Sequence, residues 1–303
     1  MAKIVGIGAN VFDTLYTVDK YPAEDTKMRA NSVKVSGGGP CATGLVAASK
    51  LGASCAFIGN LSDDNGAKFL KEDFEKYGVS TEYIKIKPGY DTFCSCIWLA
   101  SDTTSRTCVF FRGNVPPTEL DGDTTKAIAN AQVLMVDGND MEAAIEGAKI
   151  AKQNGTKILY DAGGLYEGVE NLLPYADILI PSEEFSLGHT GAGSAEEAAK
   201  ILFEKYSPEI VVITQGKKGG IIYDGKELRE YPAFLVDAVD SNGSGDVFHG
   251  AYAFCVSEGF GYYDACVFSS AVSALKCTAV GARNGAPTYE QTLEFLKERG
   301  LNV

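Results

Sequence analysis

Residues 240 to 246, Asp-Ser-Asn-Gly-Ser-Gly-Asp, run directly into Val-Phe-His-Gly-Ala-Tyr-Ala-Phe, so a turn of small residues with an acid at each end opens a helix. None of Gly243, Ser244 and Gly245 is bulky, which lets a phosphate approach their backbone amides at the positive end of the helix dipole. Asp246 then lies beside an anion site. Like charges repel, so a carboxylate there adds nothing to phosphate affinity. Its chemical use is to take the proton of a hydroxyl that attacks the phosphate. Phosphoryl transfer is the chemistry this spacing suggests. Ser and Asp at a loop-to-helix junction also cap helix amides in ordinary turns, so the tetrapeptide needs support from the rest of the chain.

Competing chemistries fit less well. Gly6-Ile7-Gly8 begins like a dinucleotide fingerprint, but its third glycine would fall at Val11. Gly216-Lys217 is followed by Lys218 and Gly225-Lys226 by Glu227, so the chain has no Gly-x4-Gly-Lys-Ser/Thr phosphate loop. With only His189 and His249, an imidazole-based metal centre or a Ser-His-Asp triad is a poor reading, and His249 reads as a helix-face residue.

Three strand ends carry polar groups. Gly8-Ala9-Asn10-Val11-Phe12-Asp13 offers an amide and a carboxylate, which suit polyol hydroxyls, although an Asx turn would look the same. The run Val211 to Thr214 ends in the loop Gln215-Gly216-Lys217-Lys218-Gly219. Ligands of open α/β sheets bind at such carboxyl ends. In Pro181-Ser182-Glu183-Glu184-Phe185 the acids read either as metal contacts or as the first turn of a helix capped by Ser182.

These groups need a frame. The 303 residues, 45% apolar and 22% charged, fit one large α/β domain or two small ones. A net charge of −13 argues against nucleic acid, whose phosphates are bound by excess Lys and Arg. No stretch approaches 18 apolar residues, and the N-terminal run lacks the apolar core and cleavage site of a signal peptide. The eight cysteines form no Cys-x-x-Cys pair and read as buried, reduced thiols of a cytoplasmic protein.

Strand candidates at 3–8, 55–59, 132–137, 157–161, 177–181 and 209–214 alternate with helical patterns near 40–51, 64–77, 141–153 and 194–205, and two more helices are expected near 244–258 and 263–280. This rhythm predicts a doubly wound, mostly parallel sheet flanked by helices. Segments 14–36 and 91–113 break it. The second reads as a hairpin around Ser-Asp-Thr-Thr-Ser, either an edge of the main sheet or part of a small sheet standing off it.

From Asp240 to Ala253 the chain resembles, position by position, the C-terminal signature of the ribokinase (PfkB) family of carbohydrate and nucleoside kinases. The resemblance continues in order through the chain. Asn10 and Asp13 match the first strand, whose side chains bind sugar hydroxyls in that family. Gly38 and Gly39 match the Gly-Gly motif between lid and core, with Thr43 where an Asn is usual. Thr214, Gly216 and Gly219 match the Thr-x-Gly-x-x-Gly nucleotide contact.

The resemblance implies one ribokinase-like domain over 1–303 with a β-sheet lid from about 14–36 and 91–113. It implies an ATP-dependent transfer to a primary hydroxyl of a sugar or sugar derivative, with Asp246 as base and amides 243–245 as anion hole. Mg2+ would fall to Glu183 or Glu184, because Ser182 and Phe185 replace the Asn and Glu of the family's Asn-x-x-Glu. A monovalent cation such as K+ would fall to Asp240, Ser241 and the loop around Gly281. Ser270 stands where an Asn is usual in the penultimate helix. Val136-Asp-Gly-Asn and Pro-Ser-Glu-Glu-Phe look ketohexokinase-like or sulfosugar-kinase-like.

Arg112, at the end of the lid hairpin, is placed to read an anionic substituent. Alternatives stay open: a nucleoside kinase, with Phe93, Trp98 and Phe110 around a base, or a sugar-binding regulator without activity. Bare apolar lid edges point to a homodimer.

Overall fold

Runs such as Ile210-Val-Val-Ile-Thr214 are apolar at every position and therefore need cover on both faces of a sheet. The computed structural model, which describes residues 1–103 and 105–301, provides that cover. Among the described residues nine strands form the main sheet, in the order Leu228–Tyr231, Gly220–Tyr223, Ile210–Thr214, Ile178–Pro181, Lys157–Ala162, Val133–Val136, Ile4–Ile7, Cys55–Phe57, Val79–Ser80. The first two run antiparallel to their neighbours and the remaining seven are parallel. Ile210 and Val212 enter one apolar core, and Val211 and Ile213 enter the other.

The expected helices appear as Pro40–Lys50, Asn65–Lys76, Met141–Asn154, Ala195–Tyr206, Ser244–Ser257 and Tyr262–Cys277. Helices Pro40–Lys50 and Ser244–Ser257 pack on the same core, and their crossing is unusually close. A Cβ on Gly250 would stand 2.0 Å from the Gly44 carbonyl oxygen. This contact seats the first turn of the second helix, with Asp246, over the carboxyl edge of the sheet.

The segments that broke the rhythm form a second sheet, Ser32–Gly38, Val11–Val18, Cys94–Ala100, Ser105–Phe111, separate from the first. Val11–Val18 pairs antiparallel with Ser32–Gly38 and parallel with Cys94–Ala100. Thr104, in the turn expected between the last two strands, lies outside the described residues.

Several elements differ from the sequence reading. The strand Val79–Ser80, the antiparallel edge pair and the two-stranded sheet of Gly59–Ser62 with Ile84–Lys87 are too short or too polar to show a period. Helices Gly122–Ala129 and Tyr289–Lys297 escaped for the same reason, although each opens with a capping box, from Asp121 and from Thr288. The cysteines are not uniformly buried: Cys41, Cys55, Cys255 and Cys266 are, Cys94, Cys96 and Cys277 are partly exposed, and Cys108 is exposed because its strand forms the open edge of the lid.

Candidate active site

Asp246 occupies the first turn of helix Ser244–Ser257 and lines a cavity of about 230 Å³ together with Asp13, Gly38, Gly39, Ser95 and Arg112. Burial pushes its carboxyl up to about 7, the Asp161 charge adds to this, and His249 opposes it. A base poised near neutral pH suits proton abstraction.

Gly243 carries φ +74°, a conformation that glycine adopts without strain, and a Cβ there would meet the Ala282 side chain at 2.4 Å. The turn uses one of the three amides assigned to the anion hole: Ser244 N–H donates to Ser241 O at 3.2 Å. Among the described residues the Gly243 and Gly245 amides have no protein acceptor, which leaves them for an anion.

The opposite wall comes from the start of the chain. Asp13 accepts a hydrogen bond from Ser95 Oγ at 2.6 Å. Burial pushes its carboxyl up to about 6, partly offset by that bond and by the Arg283 charge. Gly38 must lack a side chain, because a Cβ there would sit 1.9 Å from Asp13 Oδ2.

Asn10 is buried. Its Oδ1 accepts from Arg283 Nη2 at 2.7 Å, while its Nδ2 has no partner among the described residues. It lines a neighbouring cavity of about 370 Å³, with Arg112 and Asn139 at the boundary between the two. Arg112 Nη2 donates to Asn139 Oδ1 at 3.1 Å, and its guanidinium lies 5.5 Å from the centre of the Tyr166 ring. Thr43 does not reach either cavity. It sits one turn into its helix on the face turned to the core, fully buried, with its hydroxyl unpartnered among the described residues. Of the aromatic trio, Phe93 and Phe110 line the cavity and pack at 5.9 Å, whereas Trp98 does not line it.

Three charged residues that sequence reasoning missed hold this arrangement. Arg283 is buried and bonds Asp73 Oδ2, Asn10 Oδ1 and Gly38 O, each at 2.7 Å. Asp137, at the end of strand Val133–Val136, accepts from the amides of Ala9, Cys41 and Asn139 at 2.9 Å. Asp161 ends the next strand, and its Oδ2 stands 3.2 Å from His249 Nδ1. His249 Nδ1 also faces Gly245 O at 2.6 Å and Nε2 faces Ile180 O at 2.9 Å. Burial pushes the Asp161 carboxyl well up, with the Asp137 charge adding, and pushes the His249 imidazole down. The only sequence signal was an acid at a strand end, visible in Val136-Asp137-Gly138 and Tyr160-Asp161-Ala162.

On the far side of the loop 240–245 lies the carboxyl end of strand Ile210–Thr214. Thr214 pairs with Gly220 and bridges to Ser182. Gly216 and Gly219 both have positive φ, and a Cβ on Gly219 would lie 2.1 Å from Tyr231 O. Lys217 and Lys218 are exposed. Ser182 caps helix Glu183–Thr190 by accepting from Phe185 N–H at 3.1 Å. Glu183 Oε1 accepts from Gln215 Nε2 at 2.7 Å, so this acid is tied to the glycine loop, whereas Glu184 is exposed. Among the described residues no group of three or more His, Cys, Asp or Glu side chains is arranged to hold a metal. Ser270 Oγ donates to Pro232 O at 2.6 Å.

Asp240 binds the signature turn to the loop around Gly281. Its Oδ1 accepts from Asn242 N–H and its Oδ2 from Gly281 N–H, both at 2.8 Å, and Ser241 is exposed.

The chain is 27% identical over 297 residues to the ribokinase of Haemophilus influenzae, covering 96% of this chain and 97% of that one. It is 30% identical over 319 residues to the 5-dehydro-2-deoxygluconokinase of Clostridium perfringens, covering 97% and 93%. The crystal structure of Thermotoga maritima ribokinase superposes with a TM-score of 0.84 at 26% identity, over 98% of this chain and 100% of the other. The sequence profile of the pfkB family carbohydrate kinases matches residues 1–289, and the chain belongs to that family.

Proposed function

We propose that this kinase moves the γ-phosphoryl group of ATP to a primary hydroxyl of a sugar or sugar derivative, with Asp246 as the base. One observation carries the reading: a single cavity joins Asp246, a carboxylate held near neutrality, to Asp13, and the open Gly243 and Gly245 amides belong to the same turn as Asp246. Asp13 and the free Asn10 Nδ2 orient the acceptor's hydroxyls. Asp246 accepts the proton of the hydroxyl that faces the phosphate, and the Gly243 and Gly245 amides stabilise the charge on the moving group. The sheet of Val11–Val18 and its partners acts as the lid that excludes water.

Thr214, Gly216 and Gly219 would hold the nucleotide. When bound, Mg2+ neutralises charge on the phosphates. Glu183 would hold it through water, in keeping with the absence of a built ligand cluster among the described residues.

Asp246→Asn tests the assignment. Turnover should fall on the order of 10²-fold or more while ATP binding by calorimetry persists; near-normal turnover sinks it. The paired rings of Phe93 and Phe110 favour a second acceptor class, nucleosides, whose base would stack there. Offering ketohexoses, aldoses, sugar acids, sugar phosphates and nucleosides side by side with ATP separates the two. A homodimer through the lid is part of the same proposal, because Val109 and Phe111 on the open strand Ser105–Phe111, and Val33 and Val35 on the opposite edge strand Ser32–Gly38, leave apolar surface exposed.

A further inference from the structure

Lys276, in the last turn of helix Tyr262–Cys277, has no solvent-exposed surface. Its ammonium donates to the main-chain oxygen of Asp240 at 2.6 Å and stands 3.7 Å from Asp240 Oδ2. The stem is accommodated by a glycine: a Cβ on Gly285 would press on Lys276 Cε at 3.3 Å and on Lys276 O at 2.8 Å. The helix end is tied to the same strand of chain, since Val239 N–H and Asp240 N–H both donate to Cys277 O.

This is the region that the family resemblance assigns to a monovalent cation, and its acid is already engaged. All three Asp240 oxygens are engaged, one by the ammonium and two by N–H groups. A second cation would meet a fixed positive charge that already draws on the Asp240 carboxylate.

We propose that the Lys276 ammonium is the permanent cation of the signature turn, fixing Asp240 and through it the anion-hole amides, and that the enzyme therefore works without K+. A buried ammonium is costly to desolvate and stays only where a carboxylate and a carbonyl compensate it, as Asp240 does with both. Lys276 is a positioning residue. It touches neither cavity of the site and acts through the loop that carries Gly243 and Gly245.

The inference rests on the kinase reading, but its first test does not need turnover. The whole chain is melted at constant ionic strength in KCl, RbCl or choline chloride. The same melting temperature in all three is expected, and a saturable rise with K+ overturns the proposal. Sugar phosphorylation should likewise be indifferent to K+, and strong activation by K+ also overturns it.

Lys276→Ala then removes the charge and opens space. We expect a lower melting temperature and a kcat reduced on the order of 10²-fold, with both partly restored by K+ and not by choline. Equal restoration by the two salts, or none, overturns the role of Lys276. If that variant does not fold, the wild-type melts decide. A chain whose melting ignores K+ yet which phosphorylates no acceptor loses the kinase reading and keeps this one.

Discussion

Arg283 Nη2 donates to Asn10 Oδ1 at 2.7 Å across 273 residues of sequence, joining the turn between strands Ile4–Ile7 and Val11–Val18 to the short helix Ala282–Gly285. The same guanidinium holds Asp73 and the carbonyl of Gly38, so one buried charge ties together the turn at Asn10, the glycine motif and helix Asn65–Lys76. Removing a buried cation strands its partners. Arg283→Met should destabilise the fold by about 3–5 kcal/mol, measured by urea unfolding. Where it still folds, it should raise the sugar KM more than it lowers kcat, since Asp246 is untouched.

Two carboxyls with raised values give a distinctive pH profile. Both must be ionised to act, so kcat/KM should fall with unit slope as pH drops through about 7, where Asp246 takes a proton, and steepen below about 6, where Asp13 does. Asp13→Asn should keep the first break and lose the second.

The same shift makes a stability prediction of opposite sign to activity. The folded chain holds the Asp246 proton more tightly than the unfolded chain, so the protonated form favours folding, and that advantage is lost as pH rises through about 7. Asp246→Asn cannot ionise. It should be more stable than the wild type at about pH 8, by up to a few kcal/mol, and nearly equal to it at about pH 4, as read from denaturation midpoints.

The close crossing at Gly250 leaves no room for a methyl group. Gly250→Ala should cost about 1–3 kcal/mol or more and lower kcat, because the helix that carries Asp246 must shift.

Val109→Lys with Phe111→Glu places charges on the exposed lid edge. If the lid pairs between chains, sedimentation should show a dimer for the wild type and a monomer for this variant. Identical sedimentation removes the lid from any interface.

Much of this was legible before any coordinates. Six of the seven parallel strands announce themselves because strands buried on both faces are apolar throughout, and Asp246 stands out through the resemblance of the whole stretch from Asp240 to Ala253. Arg283 was hidden for a physical reason. Nothing in Gly-Ala-Arg-Asn-Gly distinguishes a solvated arginine from a buried one, since its partners lie up to 273 residues away. Thr43 was misplaced because counting along a helix fixes position but not the face presented to the cavity, and that face is set by the crossing with the signature helix.

The order of parts along the chain has a consequence for synthesis. Every strand of the described sheets is encoded by residue 231, whereas the helices Ser244–Ser257 and Tyr262–Cys277, which share one face with Pro40–Lys50, and Arg283 come after it. A nascent chain that has emerged only to residue 231 carries a nearly complete sheet with one apolar face covered only in part, by Pro40–Lys50. For that interval it depends on the ribosome or a chaperone to stay out of aggregates. The proposed base Asp246 and the buried Arg283 arrive together, at the moment the exposed face closes.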